Sequence, residues 1–315
     1  MKHFLKETDF SRDEVEEVFL LATAYKEGRG RDTTPFLRDQ TWGLLFYKNS
    51  TRTRLSFEVG IGELGGRTVY LDQNAMQIGR GETLHDTAKV LSRYISGVVI
   101  RTFGHEILEE IAEHATIPVV NGLTDLLHPC QVYSDALTIA EKLGDPGNPF
   151  DSLAGKKLAF LGDTSCNMAN SWILGGAMLG MEISLGGPPD HQPGPEARAL
   201  LEQDGLPANF SFTTEASEAV ADADVVYTDV WVSMGCEQEK DARLAKMRPY
   251  AVTADLLSKA KPGALFMHCM PTHPGLEVSQ EVLDSPQSVI FDQAENRLHA
   301  QKAIVTLLAR EASAS

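Results

Sequence analysis

Short apolar runs alternate with helical patterns along the whole chain, and this alternation limits the fold more than any other feature. Trp42–Tyr47, Arg67–Leu71, Val98–Thr102 and Pro118–Val120 read as strands in the first half. Lys157–Gly162, Glu182–Leu185, Val225–Tyr227 and Ala264–Met267 do so in the second. Between them lie amphipathic patterns, for example Val15/Val18/Ala22/Tyr25, Leu84/Ala88/Leu91/Ile95 and Val132/Ala136/Ile139/Leu143. Strands separated by helices are joined by crossovers, and crossovers make parallel sheets with helices on both faces. Asp145–Pro149 (Asp-Pro-Gly-Asn-Pro) is the strongest linker signal. The expectation is an α/β protein of two lobes, each a mostly parallel sheet covered by helices on both faces, with domains at 1–144 and 150–292.

Local signals punctuate these elements. Ser11 and Glu14 form a capping box, with Phe10 and Val15 placed as a hydrophobic staple. Thr83 and Asp86 are read as a second box. Asn121-Gly122 is read as the turn closing the Pro118–Val120 strand, and Pro129 sits at the first position of a helix. The last helix, about Gln293–Ala309, is expected to present Leu298, Val305 and Leu308 on one side.

The 315 residues suffice for two full cores, and 43% hydrophobic content is ordinary for a globular protein. A formal charge of −16 opposes nucleic acid and anionic membrane partners, which select basic surfaces. No apolar stretch reaches membrane-spanning length, and Met1-Lys2-His3-Phe4 lacks the apolar core of a signal peptide. Cys130, Cys166, Cys236 and Cys269 are far apart and read as free thiols of a cytoplasmic protein. His128, Cys130, His268, Cys269 and His273 match no structural zinc spacing, so no metal is expected. Gly162-Asp163-Thr164-Ser165-Cys166 lacks the glycines of a dinucleotide turn, which disfavours a nucleotide-dependent oxidoreductase.

The densest chemistry is Ser50-Thr51-Arg52-Thr53-Arg54, between a strand and a helix whose apolar positions are Phe57, Ile61 and Leu64, with Leu55 and Val59 beside them. Three hydroxyls and two guanidiniums in the first turn of a helix suit a phosphate group, although one hydroxyl would serve as a plain N-cap. Arg101 ends a strand, where open α/β sheets bind ligands, or is a surface arginine. His128 and Gln131, three apart at a helix start, can face one ligand, or His128 simply caps the helix. Asp229–Gly235 places an acid, the Ser233 hydroxyl and a glycine after a buried strand, suited to an amine or to an ordinary loop. Cys269 could be a nucleophile activated by His268, though neighbours on a strand face opposite sides. Arg297 adds a third positive group or a helix-surface ion pair. Together these describe a site at the carboxyl ends of two sheets, positive in the first half and amine-compatible in the second.

As a set these motifs resemble the aspartate/ornithine carbamoyltransferase family, nearest its ornithine-type members. The resemblance rests on Ser50–Arg54, His128-Pro129-Cys130-Gln131, Asp229–Gly235 with its Ser-Met-Gly element, His268-Cys269-Met270-Pro271 and Ala294-Glu295-Asn296-Arg297, and it runs from about Phe4 to Leu308. It implies transfer of the carbamoyl group of carbamoyl phosphate to the δ-amine of L-ornithine, without cofactor, metal or covalent enzyme intermediate. By the same resemblance Ser50, Thr51, Arg52, Thr53, Arg101, His128, Gln131, Cys269, Met270 and Arg297 would hold carbamoyl phosphate. Gln77 would reach the phosphate of a neighbouring subunit in a homotrimer or a multiple of trimers. Arg101, His128, Gln131 and Cys269 would be catalytic, and Asn167, Asp229, Ser233 and Met234 would hold ornithine. The segment 293–315 would pack back on the first domain. Rival readings are a sibling transferase acting on putrescine or N-acetylornithine, and a non-catalytic sensor of a phosphate ligand.

Overall fold

Parallel pairing runs through both halves of the computed structural model, which describes residues 1–31, 34–72, 81–232 and 240–314. The chain divides into two compact units, Met1–Pro149 with Glu295–Ser315, and Phe150–Ala294. The first contains α1 (Arg12–Glu27), β1 (Thr41–Phe46), α2 (Thr51–Glu63), β2 (Arg67–Asp72), α3 (Leu84–Tyr94), β3 (Gly97–Arg101), α4 (His105–His114), β4 (Val119–Leu123) and α5 (Pro129–Leu143). After α6 (Pro149–Leu153) come β5 (Lys157–Leu161), α7 (Asn167–Leu179), β6 (Glu182–Gly186), α8 (Pro195–Gln203), β7 (Phe210–Thr213), α9 (Ala216–Val220) and β8 (Val225–Thr228). The chain ends with α10 (Lys240–Met247), α11 (Ala254–Leu257), β9 (Leu265–His268), α12 (Gln280–Leu283) and α13 (Ile290–Ala314).

The first sheet has the order β2-β1-β3-β4, all parallel. Leu45, Val98, Ile100 and Val119 meet Ala88, Leu91, Leu108 and Ile111 of α3 and α4 in one core cluster. Strand side chains alternate between faces, and the alternate set, Leu44, Val99 and Val120, is equally buried. The sheet is therefore covered on both sides, as a parallel sheet requires. The second sheet, β7-β6-β5-β8-β9, follows the same rule. Ala159, Val226 and Phe266 join the cluster of α9, α11 and α12 on one face. On the other, the Phe160 and Tyr227 rings stack at 5.5 Å and Trp172 of α7 meets Tyr227 edge-on.

Several local expectations need correction. Asn121-Gly122 does not close β4; the strand continues to Leu123, with a register shift against Ile100/Arg101. Asn121 is buried and donates its side-chain amide to Leu5 O at 2.8 Å, which replaces turn chemistry with an anchor. A Cβ at Gly122 would lie 3.1 Å from Ile100 O, so the glycine permits a close backbone approach. The Ser11 capping box is reciprocal. At Thr83 only half of the box forms: Thr83 Oγ1 accepts from Asp86 N, while the Asp86 carboxylate faces His85. Leu55 is 58% exposed and not part of the buried face of α2. The last helix is longer than expected, and its side chains from Asn296 to Ala309 are buried all round. Asn296 explains part of this. Its amide donates to Thr138 Oγ1 (2.9 Å) and Glu141 Oε2 (2.8 Å) and accepts from Lys26 Nζ (2.9 Å), joining α13 to α5 and α1.

Candidate active site

In an open parallel sheet, ligands bind beyond the carboxyl ends of the strands where the strand order reverses. In the first unit that point lies between β1 and β3, since β1 leads outward to β2 and β3 leads the other way. The Ser50–Arg54 turn follows β1, Arg101 is the last residue of β3, and His128 follows β4. Sheet topology thus collects these residues at one edge.

The turn is the N-terminus of α2. Ser50 is its N-cap, with Oγ accepting from Thr53 N at 3.2 Å, and Thr51 opens the helix. The hydroxyl cap therefore exists alongside the cluster of donors. Thr53 is 2% exposed and its Oγ1 accepts from Arg297 Nη2 at 3.2 Å. The two arginines part company. Each helical residue turns the chain about 100°, so Arg52 and Arg54 differ by roughly 200°. Arg54 pairs with Glu58 (3.4 Å) and lies over the Tyr70 ring (4.0 Å), and it lines a cavity with Ser50 and Thr51.

Three residues with bland alternatives are buried. Arg101 is 8% exposed and Arg297 3%, so neither is a surface cation. His128 is the N-cap residue of α5, but its imidazole makes no capping bond. Burial pushes the His128 pKa well below its ordinary value, and the positive charges of Arg297, Arg101 and Arg52 push it the same way. The imidazole is thus neutral and can donate one ring hydrogen. Its neighbours identify the convergence: guanidiniums from α13, β3 and α2 act on one ring. Gln131, one turn into α5, accepts from Arg297 Nη1 and donates Nε2 to Asp135 Oδ1 at 2.7 Å. That pairing fixes the amide with its oxygen towards the guanidinium. Cys130, beside it, is fully buried with its thiol pushed up to about 12 by burial, which makes it inert packing.

In the second unit the reversal point lies between β5 and β8. Asn167 opens α7 after β5, Asp229 directly follows β8, and Cys269 directly follows β9. Cys269 Sγ donates to Asp229 Oδ1 at 2.9 Å, and Asp229 Oδ1 also accepts from Val230 N at 2.7 Å. His268 does not activate the thiol. Its Nδ1 accepts from Met270 N at 2.8 Å and its Nε2 faces Glu277 Oε1 at 3.4 Å. These bonds hold the turn through Met270, whose φ is +62°. Gly162 shapes the same edge, since a Cβ there would lie 2.9 Å from the Trp231 indole nitrogen.

Asp229, His268 and Cys269 bring one ligand-type atom each within 4.8 Å of one another, and no other trio of this kind occurs among the described residues. The thiol is engaged by the carboxylate and His268 Nδ1 by the backbone, so a metal ion would have to displace those bonds. Gln77, Ser233 and Met234 lie outside the described residues. Sequence reasoning missed Asp135 and Gln301; both stand four residues after a residue it did select, Gln131 and Arg297, and that spacing on a helix was the available signal.

Fold and site together define an α/β protein of two parallel-sheet units, the first with a buried cationic cluster at its strand ends. Residues 2–141 match the carbamoyl-P binding domain of aspartate/ornithine carbamoyltransferase, and residues 154–308 match its Asp/Orn binding domain. The chain belongs to the aspartate/ornithine carbamoyltransferase family. It is 46% identical to the ornithine carbamoyltransferase of Methanoculleus marisnigri, over 98% of this chain and 96% of that one. It is 48% identical to that of Symbiobacterium thermophilum, over 98% and 97%. Among solved structures it superposes on ornithine carbamoyltransferase from Pyrococcus furiosus with a TM-score of 0.88 and 40% identity, covering 97% of this chain and 96% of that one.

Proposed function

We propose that this protein transfers the carbamoyl group of carbamoyl phosphate to the δ-amine of L-ornithine, giving L-citrulline and phosphate. The observation that carries this reading is the buried cluster of Arg101, His128, Gln131 and Arg297, with the Arg297 guanidinium bonded to Gln131 and to Thr53 of the Ser50–Arg54 turn. A phosphate dianion and a developing oxyanion both need fixed positive charge, and a preorganised cationic pocket supplies it without reorganising during the reaction. In this reading Ser50, Thr51, Arg52 and Thr53 hold the phosphate. Arg101 and the neutral His128 polarise the carbamoyl oxygen. The Gln131 oxygen accepts from the carbamoyl nitrogen, and Arg297 assists. Asn167, Asp229, Ser233 and Met234 hold the α-amino and carboxylate groups of ornithine, and Cys269 and Met270 line the reacting centre.

The neutral amine attacks the carbamoyl carbon, a C–N bond forms, the C–O bond to phosphate breaks, and the amine proton ends on the released phosphate. An alkyl amine has an unperturbed pKa of about 10.4, so activity should rise above neutral pH. The Cys269 thiol, bonded to Asp229, orients that carboxylate and makes no covalent adduct.

A homotrimer is part of the proposal, with Gln77 serving a neighbour's site. Two exposed apolar side chains support it: Leu55 on α2 (58% exposed) and Val69 on the edge strand β2 (45% exposed), both near the phosphate turn in sequence. A cytoplasmic location agrees with Cys130, Cys166 and Cys269 being free thiols. No described helix is long and apolar enough to cross a membrane.

The deciding experiment is citrulline formation with ornithine, putrescine and N-acetylornithine offered in parallel, on protein whose mass in solution is measured. Turnover of ornithine alone supports the proposal. Turnover of putrescine in its place would replace the amine assignment, and tight carbamoyl phosphate binding with no product from any amine would favour the sensor.

A further inference from the structure

Arg297 needs more than its own helix to stay where it is. A long guanidinium side chain has several rotatable bonds, and burial at 3% exposure removes the water that would otherwise solvate alternative positions. Gln131 takes Nη1 and Thr53 takes Nη2. The remaining clamp comes from Gln301, one helical turn further along α13 and 1% exposed. Its amide oxygen accepts from Arg297 Nε (3.0 Å) and Nη2 (2.8 Å), and its amide nitrogen donates to Ser56 Oγ at 2.5 Å.

The neighbours dictate this orientation. Ser56 Oγ spends its single hydrogen on the carbonyls of Arg52 (2.7 Å) and Thr53 (3.2 Å), so it can only accept from Gln301. The reversed amide would set NH₂ against guanidinium donors. The chain of bonds therefore runs from the carbonyls of the phosphate turn through Ser56 and Gln301 to Arg297, and from Arg297 to Gln131. It ties the angle of one guanidinium to the backbone of the turn on another helix.

We propose that Gln301 is a positioning residue for carbamoyl phosphate binding, seated on Ser56 and acting through Arg297, whose guanidinium it locks against the phosphate turn and Gln131. The inference rests on reading Arg297 as a carbamoyl phosphate contact. Gln301 itself touches no substrate. Its effect is on the ligand that Arg297 holds and not on the amine.

The test is a double-mutant cycle on the full chain, reading carbamoyl phosphate affinity by calorimetry and both KM values by citrulline formation. Gln301→Met keeps volume and helix propensity but loses both halves of the amide. It should weaken carbamoyl phosphate about ten- to a hundredfold, the range of one charge-assisted hydrogen bond, with the ornithine KM within about twofold of wild type. In an Arg297→Ala background the same change should add nothing further. Ser56→Ala, which removes only the seat of the amide nitrogen, should give a smaller loss of several-fold in the same parameter, and it decides the matter if Gln301→Met fails to fold. Wild-type affinity in both variants, additivity with Arg297→Ala, or a loss confined to thermal stability would overturn the role of Gln301. Unchanged affinity in Arg297→Ala itself would instead overturn the site assignment beneath it.

Discussion

Arg52 and Arg54 are the same residue type two positions apart, yet they should behave as opposites. Arg52 is half-buried and its charge acts on His128 with those of Arg101 and Arg297. Arg54 is exposed, paired with Glu58 and stacked on Tyr70. In the proposed role of Arg52, Arg52→Ala removes one or two charge-assisted hydrogen bonds to phosphate. At about 1.5–3 kcal/mol for a bond to a charged group, one such loss alone weakens carbamoyl phosphate roughly 10- to 150-fold. Alanine is the best helix former, so α2 should persist. Arg54→Ala loses an exposed i,i+4 ion pair worth about 0.3–0.5 kcal/mol and a cation–π contact worth about 0.5–1 kcal/mol. That places about 1 kcal/mol on stability and none of it directly on the ligand. Calorimetric titration with carbamoyl phosphate at fixed pH and salt, paired with urea unfolding, separates the two. Arg52→Ala should lose at least tenfold more affinity than Arg54→Ala. Equal losses, or the reverse order, would mean that helix geometry does not divide their roles.

Acid should destabilise the protein before its carboxylates titrate. Burial depresses the pKa of His128 well below normal and brings that of His299 to about 4; His3 is likewise near 4 and His105 is lowered. An unfolded histidine takes up its proton near 6.5. Below that pH the unfolded state binds more protons than the folded one, so stability falls as pH falls. The fully buried His128 and His299 should each contribute about 1.4 kcal/mol per pH unit until the folded pKa is reached. Urea midpoints that stay constant from pH 7 to 5.5 would contradict this. Cys269→Ser keeps a donor for Asp229 and should retain activity within about tenfold, whereas Cys269→Ala removes the donor and should lose more, at the scale of one hydrogen bond to a carboxylate. Complete inactivity of Cys269→Ser in the citrulline assay would restore the nucleophile reading.

The β/α alternation was legible because parallel strands buried on both faces read as apolar runs, as at Val98–Ile100. The edge strand Phe210–Thr213 was not read, since its half-exposed residues carry no such run. Asn121-Gly122 has the composition of a turn, and it lies in a strand because the distant Phe4 and Leu5 carbonyls take the Asn121 backbone and side-chain N–H groups. The Ser50–Arg54 turn was legible as a helix start because its residues are consecutive and the capping rule places them there. Which arginine faces inward was not legible without the helix phase and the partners Glu58 and Tyr70. The burial of Arg297 was beyond sequence spacing, because Thr53, Gln131 and Arg297 meet only through the packing of α2, α5 and α13. Leu55 fitted the apolar pattern of α2 and is nevertheless exposed, a side chain that pattern alone assigns to the core.

Glu295–Ser315 belongs to the same unit as Met1–Pro149, so that unit is written in two pieces with Phe150–Ala294 between them. A ribosome extending the chain at about 5–20 residues per second therefore delivers Asn296 and Arg297 on the order of ten seconds after it has finished Met1–Pro149, once the whole second unit has been made. Until then α1 and α5 lack their Asn296 partner, and the cationic pocket lacks one of its three guanidiniums. The nascent protein cannot complete its first unit in order of synthesis, and any message cut short before codon 295 yields a chain that lacks the closing piece of that unit.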